Sequence, residues 1–166
     1  MSVENANTGA LAAAKNANPD ALAQTDCRII NKTGKALTFV VSKDWVGKLG
    51  YSRLVLGKQD SDGPLLVHFG EIPPDNSSGG SVGFVVYRYK HKDGVQKDWC
   101  IAWSNKGERN KVWTRIDQPD ANWYKLVDLK DSECNYNDPG KILKAHVEIE
   151  AAKTHAKLTA TLSLFK

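Results

Sequence analysis

Aromatic and polar side chains crowd three stretches rich in glycine or asparagine: Asp44-Trp45-Val46-Gly47-Lys48-Leu49-Gly50-Tyr51, Trp103-Ser104-Asn105-Lys106-Gly107-Glu108-Arg109-Asn110 and Asp120-Ala121-Asn122-Trp123-Tyr124. Read as loops, these stretches offer rings beside hydrogen-bonding groups. A tryptophan or tyrosine lays apolar area on a sugar face or a lipid headgroup while its NH or OH keeps a polar contact. Nearby arginine and lysine hold phosphate or carboxylate oxygens. The candidate ligand-binding residues are therefore Asp44, Trp45, Tyr51, Trp103, Asn105, Arg109, Trp123 and Tyr124, joined by Arg88, Lys90 and Lys92 from a basic hairpin. Most rings in a domain of this size belong to the core, so of the five tryptophans three are expected buried and one or two exposed.

Between Arg88 and Arg115 eight basic residues (Arg88, Lys90, Lys92, Lys97, Lys106, Arg109, Lys111, Arg115) stand against three acidic ones (Asp93, Asp98, Glu108), a surplus of five in a chain of net charge +4. Such a surplus concentrates an anionic partner nearby, and salt screens it within about 10 Å. Tyr87, Tyr89, Trp99, Trp103 and Trp113 interleave with these cations, which would also suit stacking on single-stranded nucleic acid. The chain as a whole is only mildly basic and carries no RNP-type or helix-turn-helix pattern, which argues against nucleic acid as the partner.

Catalytic signatures are missing: there is no GxSxG elbow, glycine-rich phosphate loop or HExxH, and no cysteine with a matching histidine and asparagine pattern. His68, His91, His146 and His155 lack metal-ligand spacing, and His68 and His146 read as hydrogen-bonded edge residues of strands. Cys27, Cys100 and Cys134 fit neither a zinc site nor a disulfide framework and read as reduced, partly buried thiols. No metal or cofactor is expected, and the chain reads as a binding protein, not an enzyme. The alternative, an active site assembled from distant loops, would draw on Asp44 and Asp98, the carboxylates directly preceding tryptophans.

The elements that must position these groups are strands. The 166 residues suit a single core. Residues 1–25, rich in alanine and asparagine, read as an arm that is flexible or forms a short helix, with Asn18-Pro19-Asp20 able to start a helical turn. From residue 26 to residue 166 short β-branched and aromatic runs alternate with Gly, Pro, Asn and Asp, which predicts an all-β, antiparallel β-sandwich. Strands are expected at Cys27 to Asn31, Ala36 to Ser42, Arg53 to Leu56, Leu65 to Phe69, Ser81 to Lys90, Asp98 to Trp103, Val112 to Ile116 and Trp123 to Val127. Asp93-Gly94 closes a hairpin between two of them, with Trp99, Ile101 and Trp103 on one face. Lys157 to Lys166 alternates cleanly as a strand, whereas Leu143 to Ala156 alternates as a strand but holds good helix formers, with strand the preferred reading.

Three stretches together resemble the 23 kDa jasmonate-induced proteins of plants: Asp44-Trp45 through Gly50, Gly80-Ser81-Val82-Gly83-Phe84-Val85-Val86-Tyr87-Arg88, and Asp98-Trp99-Cys100-Ile101-Ala102-Trp103-Ser104-Asn105. The resemblance spans roughly Cys27 to Cys134 and implies a stress or defence setting without naming a reaction. In layout the chain is also similar to the aegerolysins and actinoporin-like sandwiches. That likeness is carried by Trp45 to Leu49, the Ile72-Pro73-Pro74-Asp75 edge and the tryptophan strand followed by Trp113, and it implies recognition of membrane lipid. A stable pore is not expected, because residues 1–25 offer no broad apolar helical face.

These readings converge on a stress- or defence-associated module that recognises membrane lipid headgroups or glycans through loop aromatics and the basic hairpin. A lectin would use the same rings with Asp44, Asn105 and Asn122 and would be insensitive to salt. The N-terminal segment has no cationic flank before an apolar stretch, and about 18 apolar residues never run together, so a cytoplasmic protein with at most peripheral membrane contact is expected.

Overall fold

Alternation along a strand puts apolar side chains on one face, and two such faces bury each other. The computed structural model describes residues 22–52, 55–56, 66–72 and 79–166, with the backbone alone at 51, 52, 55 and 56. Within them lie β1 (Leu22–Lys32), β2 (Leu37–Val46), β3 (Lys48–Ser52), β4 (Val55–Leu56), β5 (Leu66–Glu71), β6 (Ser81–Lys90), β7 (Gln96–Asn105), β8 (Lys111–Asp117), the helical turn α1 (Trp123–Leu126), β9 (Glu133–Asn137), β10 (Leu143–Ile149) and β11 (His155–Leu164). They form a first sheet ordered β3-β5-β1-β11-β10-β9 and a second ordered β4-β2-β6-β7-β8. Pairing is antiparallel throughout except between β1 and β11, which run parallel. The protein is an all-β sandwich.

Between the sheets, Cys27 and Ile29 of β1 meet Val85, Tyr87 and Tyr89 of β6, Trp99, Ile101 and Trp103 of β7, and the inward residues of β10 and β11. The Trp99 indole donates to Thr114 Oγ1 at 2.8 Å, so its one polar atom is satisfied in the core. A second apolar cluster lies outside the second sheet, where Phe84, Val86, Cys100 and Ala102 are covered by Trp123, Leu126, Val127 and Leu129 of the β8–β9 connection. Covered on both faces, β6 reads as a nearly continuous apolar run. Burial raises the thiols of Cys27 and Cys100 well above their ordinary range, which keeps them protonated and inert.

Several elements differ from expectation. Trp123 to Val127 is a helical turn, not a strand, because residues three apart in a helix share a face and Trp123 and Leu126 both close over the second sheet. Leu143 to Ala156 is strand only to Ile149; a turn follows, and His155 and Ala156 already belong to β11. Pairing on both sides of β10 outweighs the helix propensity of Glu148. Asp44 to Tyr51 is not a loop but the end of β2 and most of β3, hinged at Gly47 (φ +88°). A Cβ at Gly47 would lie 2.6 Å from the Phe69 carbonyl oxygen, so only glycine fits this hinge. The edge strand β9 escaped notice because only Cys134 and Tyr136 of it face the core. β1 starts at Leu22, inside the segment read as an arm, with Leu22 and Ala23 buried. Residues 1–21, Arg53, Leu54, Leu65 and Pro73 to Asp75 lie outside the described residues.

The β6–β7 hairpin turns where Asp93-Gly94 indicated. Gly94 takes φ +89° and donates its N–H to the His91 carbonyl at 2.9 Å, and Asp93 Oδ1 accepts from the Val95 N–H at 2.9 Å.

Candidate functional site

A bulge adds a residue to one strand and re-aims the side chains around it. β2 has one between Asp44 and Val46, opposite Gly83 and Val82 of β6. There Asp44 reaches inward to His68, while Trp45 lies outside the sheet against Phe84, ring centroids 5.2 Å apart. Tyr124 of α1 stands edge-on to both rings, 5.5 Å from Phe84 and 6.5 Å from Trp45. Its neighbour Trp123 points the other way and packs on Trp113 at 6.3 Å. Lys43, in register with Phe84, holds its ammonium 5.8 Å from the Tyr124 centroid, and exposed Val41 lies in register with Val86 on the same strand face. Trp45 and Tyr124, 36% and 58% exposed, are thus two solvent-facing rings seated on one buried phenylalanine.

Beneath this patch lies a polar chain. His68 of β5, fully buried, meets Asp44 Oδ1 through Nε2 at 3.0 Å and Ser81 Oγ through Nδ1 at 2.7 Å. Burial lowers the His68 pKa from its ordinary value, and Asp44 opposes the shift only in part. The neutral ring therefore donates from Nε2 to the carboxylate and accepts the Ser81 hydroxyl at Nδ1. The order Ser-His-Asp is that of a hydrolytic triad, but Ser81 is fully buried. Its oxygen also meets Thr25 Oγ1 at 2.9 Å, the Trp103 indole NH at 3.2 Å and the His68 carbonyl at 3.3 Å. With those partners around it, no face of Ser81 is open to a carbonyl substrate, and the arrangement braces β2, β5 and β6. Gly83 lets β2 and β6 approach at the bulge: a Cβ there would lie 2.5 Å from the Lys43 carbonyl oxygen.

The structure separates the other candidates. Trp103 and Trp123 are core rings, 1% and 5% exposed, so neither offers a ligand a surface; with Trp99 they are the three buried tryptophans expected. Asn105 is buried too, its amide donating to the carbonyls of Gln24 and Thr154 and its Oδ1 accepting the Gly107 N–H. Arg88 forms a two-point pair with Asp98, 2.7 Å from Nε to Oδ1 and 3.0 Å from Nη2 to Oδ2, which also occupies one of the two carboxylates considered for catalysis. Arg109 is exposed at φ +48° in the β7–β8 loop, while Lys90 and Lys92 are exposed at the opposite end, beside the hairpin turn. Tyr51 sits in β3 opposite Val67, and its side chain is outside the described residues.

The basic surplus is consequently not one patch. Arg88, Lys97 and Arg115 face Asp98, Asp138 and Asp117, and the remaining cations divide between the two ends of β6 and β7. Phe84, Lys43 and His68 were missed as site residues. Lys43 adjoins one quoted motif and Phe84 lies inside another, but only the β2–β6 register puts them together. His68 is central, with β3 on one side of β5 and β1 on the other, and is not an edge residue.

No family model matches the chain, and no curated protein matches it in sequence. Among solved structures it is similar to the crystal structure of the lipid binding protein Nakanori, with a TM-score of 0.66 and 19% identity over 96% of this chain and 79% of that one. What the two share at that identity is the fold. The likeness agrees with the sandwich expected from the aegerolysin-like layout and does not bear on the jasmonate-induced family.

Proposed function

We propose that this protein is a lipid-recognition module that seats Trp45 and Tyr124 in the headgroup region of a membrane, with Lys43 beside the lipid phosphate. One observation carries the reading: two amphipathic rings, far apart in sequence, are exposed side by side on a rigid base formed by Phe84. Such rings favour the membrane–water interface, where one part is apolar and the other wet. The fold shared with a protein described as lipid binding supports the choice of ligand class. Contact is peripheral in this reading; among the described residues no helix is long and apolar enough to cross a membrane. A stress or defence role of the plant jasmonate-induced type and a cytoplasmic setting belong to the same proposal, the latter supported by three free cysteines.

A glycan on the same rings is the second reading. It is favoured by Asp44, whose side chain keeps 40% exposure beside Trp45 while one oxygen accepts from His68. Co-sedimentation with vesicles of phosphatidylcholine alone, with added anionic lipid and with added glycolipid, each at low and high salt, separates the two. Lipid recognition predicts pelleting that salt weakens only slightly, since one lysine adjoins the rings. Pelleting restricted to glycolipid vesicles selects the glycan, and no pelleting with any vesicle overturns both.

A further inference from the structure

The outer face of the first sheet carries a shallow depression of about 210 Å³, lined by Asn135 and Asn137 of β9, Lys144 and His146 of β10, and Thr161 and Ser163 of β11. The register orders these groups into rows across the strands. One row runs Asn137, Lys144, Ser163 and then Lys32 of β1; the next runs Asn135, His146 and Thr161. Lys32 and Lys144 both stand opposite Ser163, so two cations about 10 Å apart at the backbone bracket one hydroxyl. Among the described residues, Lys32 and Lys144 have no ion pair, and the side chains of Asn135, Asn137, Thr161 and Ser163 have no hydrogen-bond partner. His146 Nε2 meets Glu133 Oε1 at 2.8 Å, which leaves Nδ1 for a ligand.

We propose that this depression is a second binding site, for a phosphorylated cyclic polyol, with the phosphate over Ser163 between Lys32 and Lys144. The ring hydroxyls then lie along Asn135, Asn137, His146 and Thr161, whose amides, hydroxyl and imidazole supply both donors and acceptors. Paired ammonium groups and a hydroxyl suit a phosphate. No tryptophan, tyrosine or phenylalanine lines the depression, so the apolar platform that a neutral sugar stacks on is lacking. Lys97 Nζ pairs with Asp138 Oδ1 at 3.4 Å, which ties the hairpin to the β9–β10 turn and puts exposed Lys90 and Lys92 at the same end of the sandwich. Their charge raises the local concentration of anions there. The Trp45 patch lies at the other end and outside the other sheet, so one flat bilayer does not serve both sites, and a soluble phosphate is favoured over a headgroup.

Titration calorimetry with inositol trisphosphate tests the site on the full chain, beside myo-inositol and inorganic phosphate; co-sedimentation with vesicles containing phosphatidylinositol bisphosphate tests the lipid source. Binding of inositol trisphosphate is expected, with weaker binding of either fragment, and Lys144→Glu should weaken it by about 10-fold or more through loss of a charged contact. Asn137→Ala should weaken it less, and Trp45→Ala should leave it unchanged, so failure of the lipid reading leaves this result standing. Binding of the vesicles alone would assign the phosphate to a lipid. The proposal is overturned if neither form binds, if Lys144→Glu binds as the wild type does, or if inorganic phosphate binds as tightly as the polyol.

Discussion

Replacing Trp45 with alanine removes the ring expected to enter the headgroup region first. A tryptophan side chain offers roughly 250 Å², and Trp45 is 36% exposed, so ~90 Å² is available for transfer out of water. At about 25 cal/mol per Å² this amounts to ~2 kcal/mol, or a loss of roughly 30-fold in vesicle partitioning. The fold should survive, because the ring packing lost is two edge contacts, with Phe84 and Tyr124, worth about 1 kcal/mol each. Trp45→Phe should keep most of the apolar area and lose less partitioning than alanine does. Co-sedimentation across a range of lipid concentrations reads the partition coefficient, and circular dichroism reports the fold. If Trp45→Ala remains folded and partitions as the wild type does, the aromatic patch is not the membrane contact.

Charge reversal at the hairpin, Lys90→Glu with Lys92→Glu, should leave vesicle binding nearly unchanged. β6 spans ten residues, about 30 Å, and a Debye length near 8 Å screens charges that far from the patch; vesicle binding abolished by the reversal would contradict this. Arg88→Ala should destabilise the protein by about 3 kcal/mol in urea unfolding, because it strands the Asp98 carboxylate, 2% exposed, without its partner. Vesicle binding should not follow that loss, since Arg88 is occupied by the pair. Acidification should also destabilise the fold. Burial lowers the His68 pKa from 6.5, so the unfolded chain takes up a proton before the folded one does. His68 thus contributes its full stability above about pH 6.5 and loses it as the pH falls toward the lower folded value. Chemical unfolding at several pH values should show this fall, and His68→Gln should remove its share of it.

The architecture was legible because its determinants are local. Period-two alternation, β-branched and aromatic runs and Asp93-Gly94 placed β6, β7 and their hairpin, including the shared face of Trp99, Ile101 and Trp103. Where alternation lacked large apolar residues, as in β9, or where a glycine broke it, as at Gly47, strands went unseen. Helical turn α1 was misread because Trp-Tyr-Lys-Leu favours a strand by composition and takes its shape from the sheet it covers.

The candidate site depended on register and layering, which sequence does not carry. Sequence named Trp45 and Tyr124, but it named Trp103, Trp123 and Asn105 with equal force, and only burial distinguishes rings and amides that hold the core from those that face solvent. It also counted eight cations as one local surplus, whereas strand length and pairing with Asp98, Asp138 and Asp117 dispersed them. Composition and alternation therefore determined that this chain is a sandwich with amphipathic rings to spare. Which rings meet was decided by the bulge in β2 and by α1 folding back on β6, since contacts between residues 45, 84 and 124 exist only once distant strands are in register.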